Sequence, residues 1–182
     1  MEYPSDWREQ FTTKNGQKIL FRPVQPNDTE LLWRMFSTLS EKSLSNLIPP
    51  FTRKRIEGWT SNIDYDKVLA IVAVTQENED ERIVASASLK FNPQEIMKHK
   101  AELGIAVHDE YQNRGIGSSL LKHLLNIARN KKLRKVWLNV RATNKPAIYV
   151  YRKGGFEIEA KLCEECYVDG KFEDEYRMAV FL

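Results

Sequence analysis

Between Ala101 and Val140 the chain leaves itself few choices of fold, because an apolar strand, a glycine-containing turn, a long helix and a second apolar strand follow one another without a break. Ala101 to Val107 reads as a strand. Ile116, Leu120, Leu124 and Ala128 then recur at four-residue spacing, with Leu121 and Leu125 beside them, which predicts an amphipathic helix over Ile116 to Asn130. Arg129, Lys131 and Lys132 put positive charge at its C-terminal end, where the helix dipole favours it. Val136 to Val140 is a further buried strand. A strand returned to its neighbour through a helix runs parallel to it, by a right-handed crossover.

The flanking segments extend this unit into a larger sheet. Lys18 to Val24 reads as a first strand, stopped by Pro23 and Pro26, and Asn27-Asp28-Thr29 offers an N-cap for a helix carrying Leu31, Leu32, Met35, Phe36 and Leu39. After the loop Ser40 to Phe51 and its breaker Pro49-Pro50, a second helix with Ile56 and Trp59 starts behind Thr52. Val68 to Thr75 and Arg82 to Phe91 are strands around the acidic turn Glu77 to Glu81. Pro146 to Lys153 is a short helix, and from Phe156 a terminal hairpin turns at Asp169-Gly170. The order β-α-α-β-β-β-α-β-α-β-β predicts an α+β chain, a mixed sheet flanked by helices, within one domain over residues 1–182.

Composition narrows the function classes. Lys and Arg number 28 against 25 Asp and Glu, a net charge of +3, too balanced to mark a nucleic-acid surface. No apolar run is long enough to span a membrane, and Met1 to Gln10 carries Asp6, Arg8 and Glu9 in place of a leader's apolar stretch. Cys163 and Cys166 form a lone C-x-x-C in a strand, far from His99, His108 and His123, so neither a metal site nor a redox pair is expected. These features predict a soluble cytoplasmic protein, monomer or homodimer.

Gln112-Asn113-Arg114-Gly115-Ile116-Gly117, closed by Ser118, lies between the strand ending at Val107 and the helix beginning near Ile116. A glycine turn there presents free backbone N–H groups at a helix N-terminus, where anions bind. Gly115 and Gly117 permit close approach, and Arg114 adds a charge suited to phosphate. The Gly-Lys-Ser/Thr ending of a P-loop and the three-glycine dinucleotide fingerprint are both absent.

The residues Gln112, Gly115 and Gly117 match the Gln/Arg-x-x-Gly-x-Gly/Ala signature of the GNAT (GCN5-related) N-acetyltransferase superfamily, and Asn144, Ala147, Tyr151, Gly155 and Phe156 match the second half of its pattern. The chain therefore resembles that superfamily from Lys18 to Leu182, most closely from Ala101 to Phe156. The resemblance implies a central, mostly antiparallel sheet with one splayed parallel pair. It implies acetyl-CoA as cosubstrate, its pyrophosphate on the amides of Gln112 to Ser118 and its pantetheine arm along the backbone of Ile105, Ala106 and Val107. Asn144 would contact the cofactor and the Val107 N–H would polarise the thioester carbonyl.

Acetyl transfer to an amine needs a base, because a lysine amine with a pKa near 10.4 is charged at neutral pH. Strand alternation puts Glu102 on one face with Gly104 and Ala106, leaving space for an acceptor, and the superfamily's lysine enzymes carry an acid there. The competing reading is a strand-end glutamate in an ion pair. Tyr151 shares a helix face with Asn144 and Ile148 and is the candidate acid toward the departing thiolate, against the alternative of a core tyrosine. His108 is expected to be a solvated loop residue, Asp109 and Glu110 to face water, and Tyr149 to be structural.

The opening Phe21-Arg22-Pro23-Val24-x-Pro-x-Asp28 with Leu39-Ser40 resembles prokaryotic protein lysine acetyltransferase domains, which implies a protein lysine as acceptor. A small-molecule amine, a protein N-terminus, or a non-catalytic acyl-CoA sensor are the alternatives. Survival of both Glu102 and Tyr151 speaks against the sensor.

Overall fold

The computed structural model describes residues 7–48, 50–77 and 80–182. Most of the polar opening Met1 to Gln10, Pro49 of the breaker pair and the middle of the turn Glu77 to Glu81 lie outside those residues. One sheet of 8 strands organises the rest, in the spatial order β1-β2-β3-β4-β5-β6-β8-β7. Its first half comprises β1 (Glu9–Thr12), β2 (Lys18–Pro23), β3 (Val68–Glu77), β4 (Asp80–Phe91) and β5 (Lys100–Val107), each antiparallel to the next. The second half comprises β6 (Lys135–Arg141), β8 (Lys171–Phe181) and β7 (Glu157–Val168), again antiparallel. The halves meet at β5 and β6, which run parallel. This is the mixed sheet the element order predicts, mostly antiparallel as the resemblance implies.

Two elements escaped the periodicity. β1 is a short polar edge strand, paired only with β2, and four residues are too few for alternation to register. The helix α2 (Glu41–Leu44) interrupts the expected loop Ser40 to Phe51, capped by the Ser40 side chain accepting from Ser43 N–H.

The apolar stripes sort the other helices onto the two faces. α1 (Thr29–Ser37) and α3 (Arg53–Ser61) bury Leu32, Met35, Phe36 and Ile56 against Val72, Val74 and Ile83. On the other face α4 (Ile116–Asn130) lays Leu120, Leu121, Leu124 and Ala128 over Phe21, Leu69, Leu89, Leu103 and Val136. α5 (Lys145–Lys153) joins the same core through Ile148. The terminal hairpin turns at Asp169 and Gly170, both at positive φ.

The expected cap at Asn27-Asp28-Thr29 takes a different form. Asp28 is the N-cap residue of α1, yet its carboxylate caps no N–H of that helix. It accepts two hydrogen bonds of 2.7 Å from the Arg22 guanidinium and one from Gln25 N–H. Both charged side chains are nearly sealed from solvent, at 4% and 2% exposure, which makes each depend on the other. Asp28→Ala should lower the unfolding free energy by about 3 kcal/mol, since it leaves a buried guanidinium with only a 3.7 Å contact to the half-exposed Glu81 carboxylate and the Pro23 carbonyl. Urea denaturation of the two proteins measures this, and a loss of only a few tenths would show that Glu81 or water takes over the guanidinium.

Candidate active site

The parallel pair β5/β6 is paired only from Lys100↔Lys135 to Glu102↔Trp137. Beyond that, β5 follows β4 up to Ala85↔Val107, while β6 follows β8 up to Arg141↔Glu175. Each strand obeys its own half-sheet, and the two part into a V that closes at Glu102 and opens toward Val107 and Arg141. His108 N–H donates to the Val84 carbonyl at 2.9 Å, which turns the His108 backbone toward β4. Backbone groups alternate sides along a strand. Ile105 and Val107 therefore turn theirs into the split, while Ala106 turns its own toward Ser86 of β4.

Directly after β5 comes the glycine loop. Asn113 and Gly115 adopt φ of 60° and 88°, and Gly115 is the N-cap of α4 without any side-chain cap. Such a φ costs glycine nothing and is tolerated by asparagine. Gly117 has no such demand: a side chain there would make ordinary contact with Val107 at 3.5 Å, so its bareness leaves open space beside the split. The first hydrogen bond of the helix runs from Ser119 N–H to Gly115 O. Among the described residues, the backbone N–H groups of Asn113, Arg114, Gly115, Ile116, Gly117 and Ser118 find no acceptor. Six consecutive free donors, joined by the positive end of a helix dipole, form an anion cradle.

Two predicted loop side chains are occupied in bracing it. Gln112 Nε2 donates to Val107 O and to Ser43 Oγ, both at 3.1 Å. The Arg114 guanidinium donates to Gln17 Oε1 at 2.9 Å and lies 4.8 Å over the Tyr111 ring. Tyr111 in turn donates to Glu77, which also holds Arg82. A groove of about 340 Å³ between α4 and α5 opens beside Ser118, with Lys122, Arg129 and Lys153 on its walls.

Glu102 and Tyr151 stand on opposite faces of the sheet, either side of the split. Glu102 is half-buried at the closed end of the V, across from Trp137, and its carboxylate has no hydrogen bond or ion pair among the described residues. The competing ion pair does not form. Tyr151 is half-buried on the α4 face with its ring against Phe156, and its hydroxyl has no partner among the described residues. Burial pushes the phenol up to about 12. Asn144 begins α5, its side chain accepting from Ala147 N–H at 3.3 Å.

Several expectations are overturned nearby. His108 is no solvated loop residue: it is buried, its ring in contact with the Thr38 hydroxyl at 3.1 Å and facing Arg82. Glu110 pairs with Arg82 at 2.7 Å rather than simply facing water. Asp109 accepts from Ser40 N–H and from the hydroxyls of Ser40 and Ser43. Partial burial works against its charge, but these hydrogen bonds outweigh it and hold the carboxyl down to about 2. Their partners lie some seventy residues away in the chain, so no local spacing announces them. Tyr149 is exposed on α5 with Lys153 over its ring, outside the core. Cys163 and Cys166 lie in β7 as free thiols, and burial followed by the Glu175 charge pushes Cys166 up to about 11.

The profile of the acetyltransferase (GNAT) family matches residues 31–156, more than half of the chain. The protein belongs to the GNAT family. Among curated relatives, this GNAT protein is similar to the L-amino acid N-acetyltransferase AaaT of Escherichia coli, with 37% identity over 82 residues covering 44% of this chain and 51% of that one. It is also similar to the spermidine N(1)-acetyltransferase of the same organism, with 32% identity over 83 residues covering 45% of each. The chain spans about half the length of these relatives. Among solved structures, the GNAT domain of S. lividans PAT shares the fold over 100% of both chains, with a TM-score of 0.77 and 22% identity.

Replacing Gly115 by Ala puts a side chain where φ is 88° and should cost about 1–2 kcal/mol of stability. Denaturant unfolding reads this directly. An unchanged midpoint would mean that the loop relaxes to another conformation at no cost.

Proposed function

We propose that this protein transfers the acetyl group of acetyl-CoA to a primary amine within the split between β5 and β6, residues 1–182 acting as one catalytic unit. The observation that carries the reading is the run of six backbone N–H groups without acceptors at the head of α4. They suit a diphosphate, and none of the described residues uses them. The outward-turned backbone of Ile105 and Val107 supplies a strand edge for the amides of the pantetheine arm, much as an added strand would. Ala106, its backbone committed to β4, leaves space through its small side chain. The Asn144 side chain lies at the opened end of β6, within the reach of the same arm, and Lys122, Arg129 and Lys153 suit the remaining phosphate of the cofactor.

Bound acetyl-CoA supplies a thioester, an acyl group activated toward amines. A carbon–nitrogen bond forms, the carbon–sulfur bond breaks, the amine gives up a proton to Glu102 and the thiolate takes one from solvent. Glu102 accepts its proton directly or through a water, and its carboxylate, without a partner among the described residues, is free to do so. The Val107 N–H points into the split and donates to the carbonyl oxygen as negative charge gathers there. Tyr151 faces the departing sulfur from the other side of the sheet. With its phenol pushed up to about 12 it keeps its proton throughout the neutral range, and so acts as a hydrogen-bond donor toward the nascent thiolate.

The acceptor is an amine, for which the opening segment favours a protein lysine, while the two relatives' names favour a free amino acid or a polyamine. Release of free thiol from acetyl-CoA, followed over a panel of peptides, proteins, amino acids and polyamines, decides among them. Turnover with at least one amine is expected, and tight coenzyme A binding without turnover on any would favour a sensor.

On that acceptor, Glu102→Gln should lower kcat/KM by about 10²-fold or more while leaving coenzyme A affinity near normal. An unaltered kcat/KM would exclude Glu102 as base. Tyr151→Phe should lower kcat by about tenfold at every pH up to about 11, because the raised phenol does not ionise below that. An undiminished kcat would return Tyr151 to a packing role.

A further inference from the structure

The segment from Ser40 to Asn46 crosses the open end of the V. On the β5 side, Asp109 accepts from Ser40 N–H at 2.8 Å and from the Ser40 and Ser43 hydroxyls at 2.7 and 2.6 Å, and Gln112 donates to Ser43 Oγ. On the β6 side, Arg141 donates to Ser45 Oγ at 3.0 Å and to Asn46 Oδ1 at 3.2 Å, while holding Glu173 of β8. Asp109 follows the last residue of β5 by two positions, and Arg141 is the last residue of β6. The segment is thus moored to both diverging strands at the ends that lie farthest apart.

α2 spans Glu41–Leu44 and buries no residue completely, its apolar anchor being half-buried Leu44 against the α1/α3 core. A single helical turn has no stability of its own in water, and a segment with little buried surface opens readily. Its position therefore depends on the polar moorings together with that one contact. The outer side of the segment forms one wall of a cavity of about 350 Å³, closed by Arg141, Asp169 and Glu173. None of the six free loop amides is touched by it.

We propose that Ser40–Asn46 is a strap across the mouth of the split, shaping the acceptor's approach, and that Asp109 is the positioning residue that keeps it in place. This rests on reading the split as the acetyl-transfer site. Because the strap avoids the amides of Asn113 to Ser118, loosening it weakens the acceptor's hold and spares the cofactor's.

Asp109→Asn keeps the size of the side chain but removes the charge and one acceptor oxygen, and Ser43→Ala removes a single mooring. Amide hydrogen exchange over residues 41–46 should quicken about tenfold in Asp109→Asn and less in Ser43→Ala, the scale of one charge-assisted hydrogen bond. Acceptor KM should rise by a similar factor of about ten, with coenzyme A affinity by calorimetry within about twofold. Unchanged exchange and acceptor KM, or an equal loss of coenzyme A affinity, would overturn the strap. If Asp109→Asn does not fold, Ser43→Ala carries both readouts. Wild-type protein that binds no coenzyme A would instead refute the proposed function, while the exchange rates would still report on the mooring.

Discussion

Two neighbouring parallel strands ordinarily stay paired, because every buried backbone group that loses its partner costs free energy. Here β5 and β6 separate after Glu102↔Trp137, and the rest of the structure follows from how that separation is sustained. Each strand is paired along its outer side, β5 with β4 and β6 with β8, so both keep a full ladder on one edge where they part. The cores on the two faces carry the load instead, α4 spanning the junction through contacts to Leu103 on one strand and Val136 on the other. What remains inside the V is a strand edge turned inward, on which the Val107 carbonyl accepts from Gln112 Nε2 and the N–H groups of Ile105 and Val107 have no acceptor among the described residues. An edge of this kind is normally blunted or covered. Here it leads straight into a second set of unmatched donors at the head of α4.

The two deficits are of one kind. A strand edge in the split and a run of amides at a helix N-terminus both leave backbone donors without an acceptor among the described residues, Ile105 and Val107 in the first and Asn113 to Ser118 in the second. Side chains in the same region are engaged elsewhere: Gln112 with Val107 and Ser43, Arg114 with Gln17 and Tyr111, His108 with Thr38. The loop is held by its side chains and presents its backbone. That division explains why a loop with an arginine in it need not use the guanidinium on a phosphate.

The second half of the molecule was readable from the residues alone because its signals are local. The four-residue stripe of Ile116 to Asn130 gave the bounds of α4, and Asp169-Gly170 gave the hairpin turn, since helical periodicity and positive-φ turns depend on neighbours in the chain. The free state of Glu102 and of the Tyr151 hydroxyl fits the roles their positions suggest, but roles in a reaction are not properties of spacing. What stayed hidden was non-local. Asp109 looked like a solvated acid because its serine partners sit on another element, and Asp28 looked like a plain cap because Arg22 pairs with it across a strand end. β1 carried too few residues for any period.

The proposed grip of the Asn113 to Ser118 backbone amides on the diphosphate of acetyl-CoA can be tested at the atoms concerned, by titrating ¹⁵N-labelled protein with coenzyme A and following amide resonances. These six amides should shift together and saturate along one binding curve, with Ile105 and Val107 moving alongside them. Saturable binding that leaves all six unmoved while resonances elsewhere shift would contradict it.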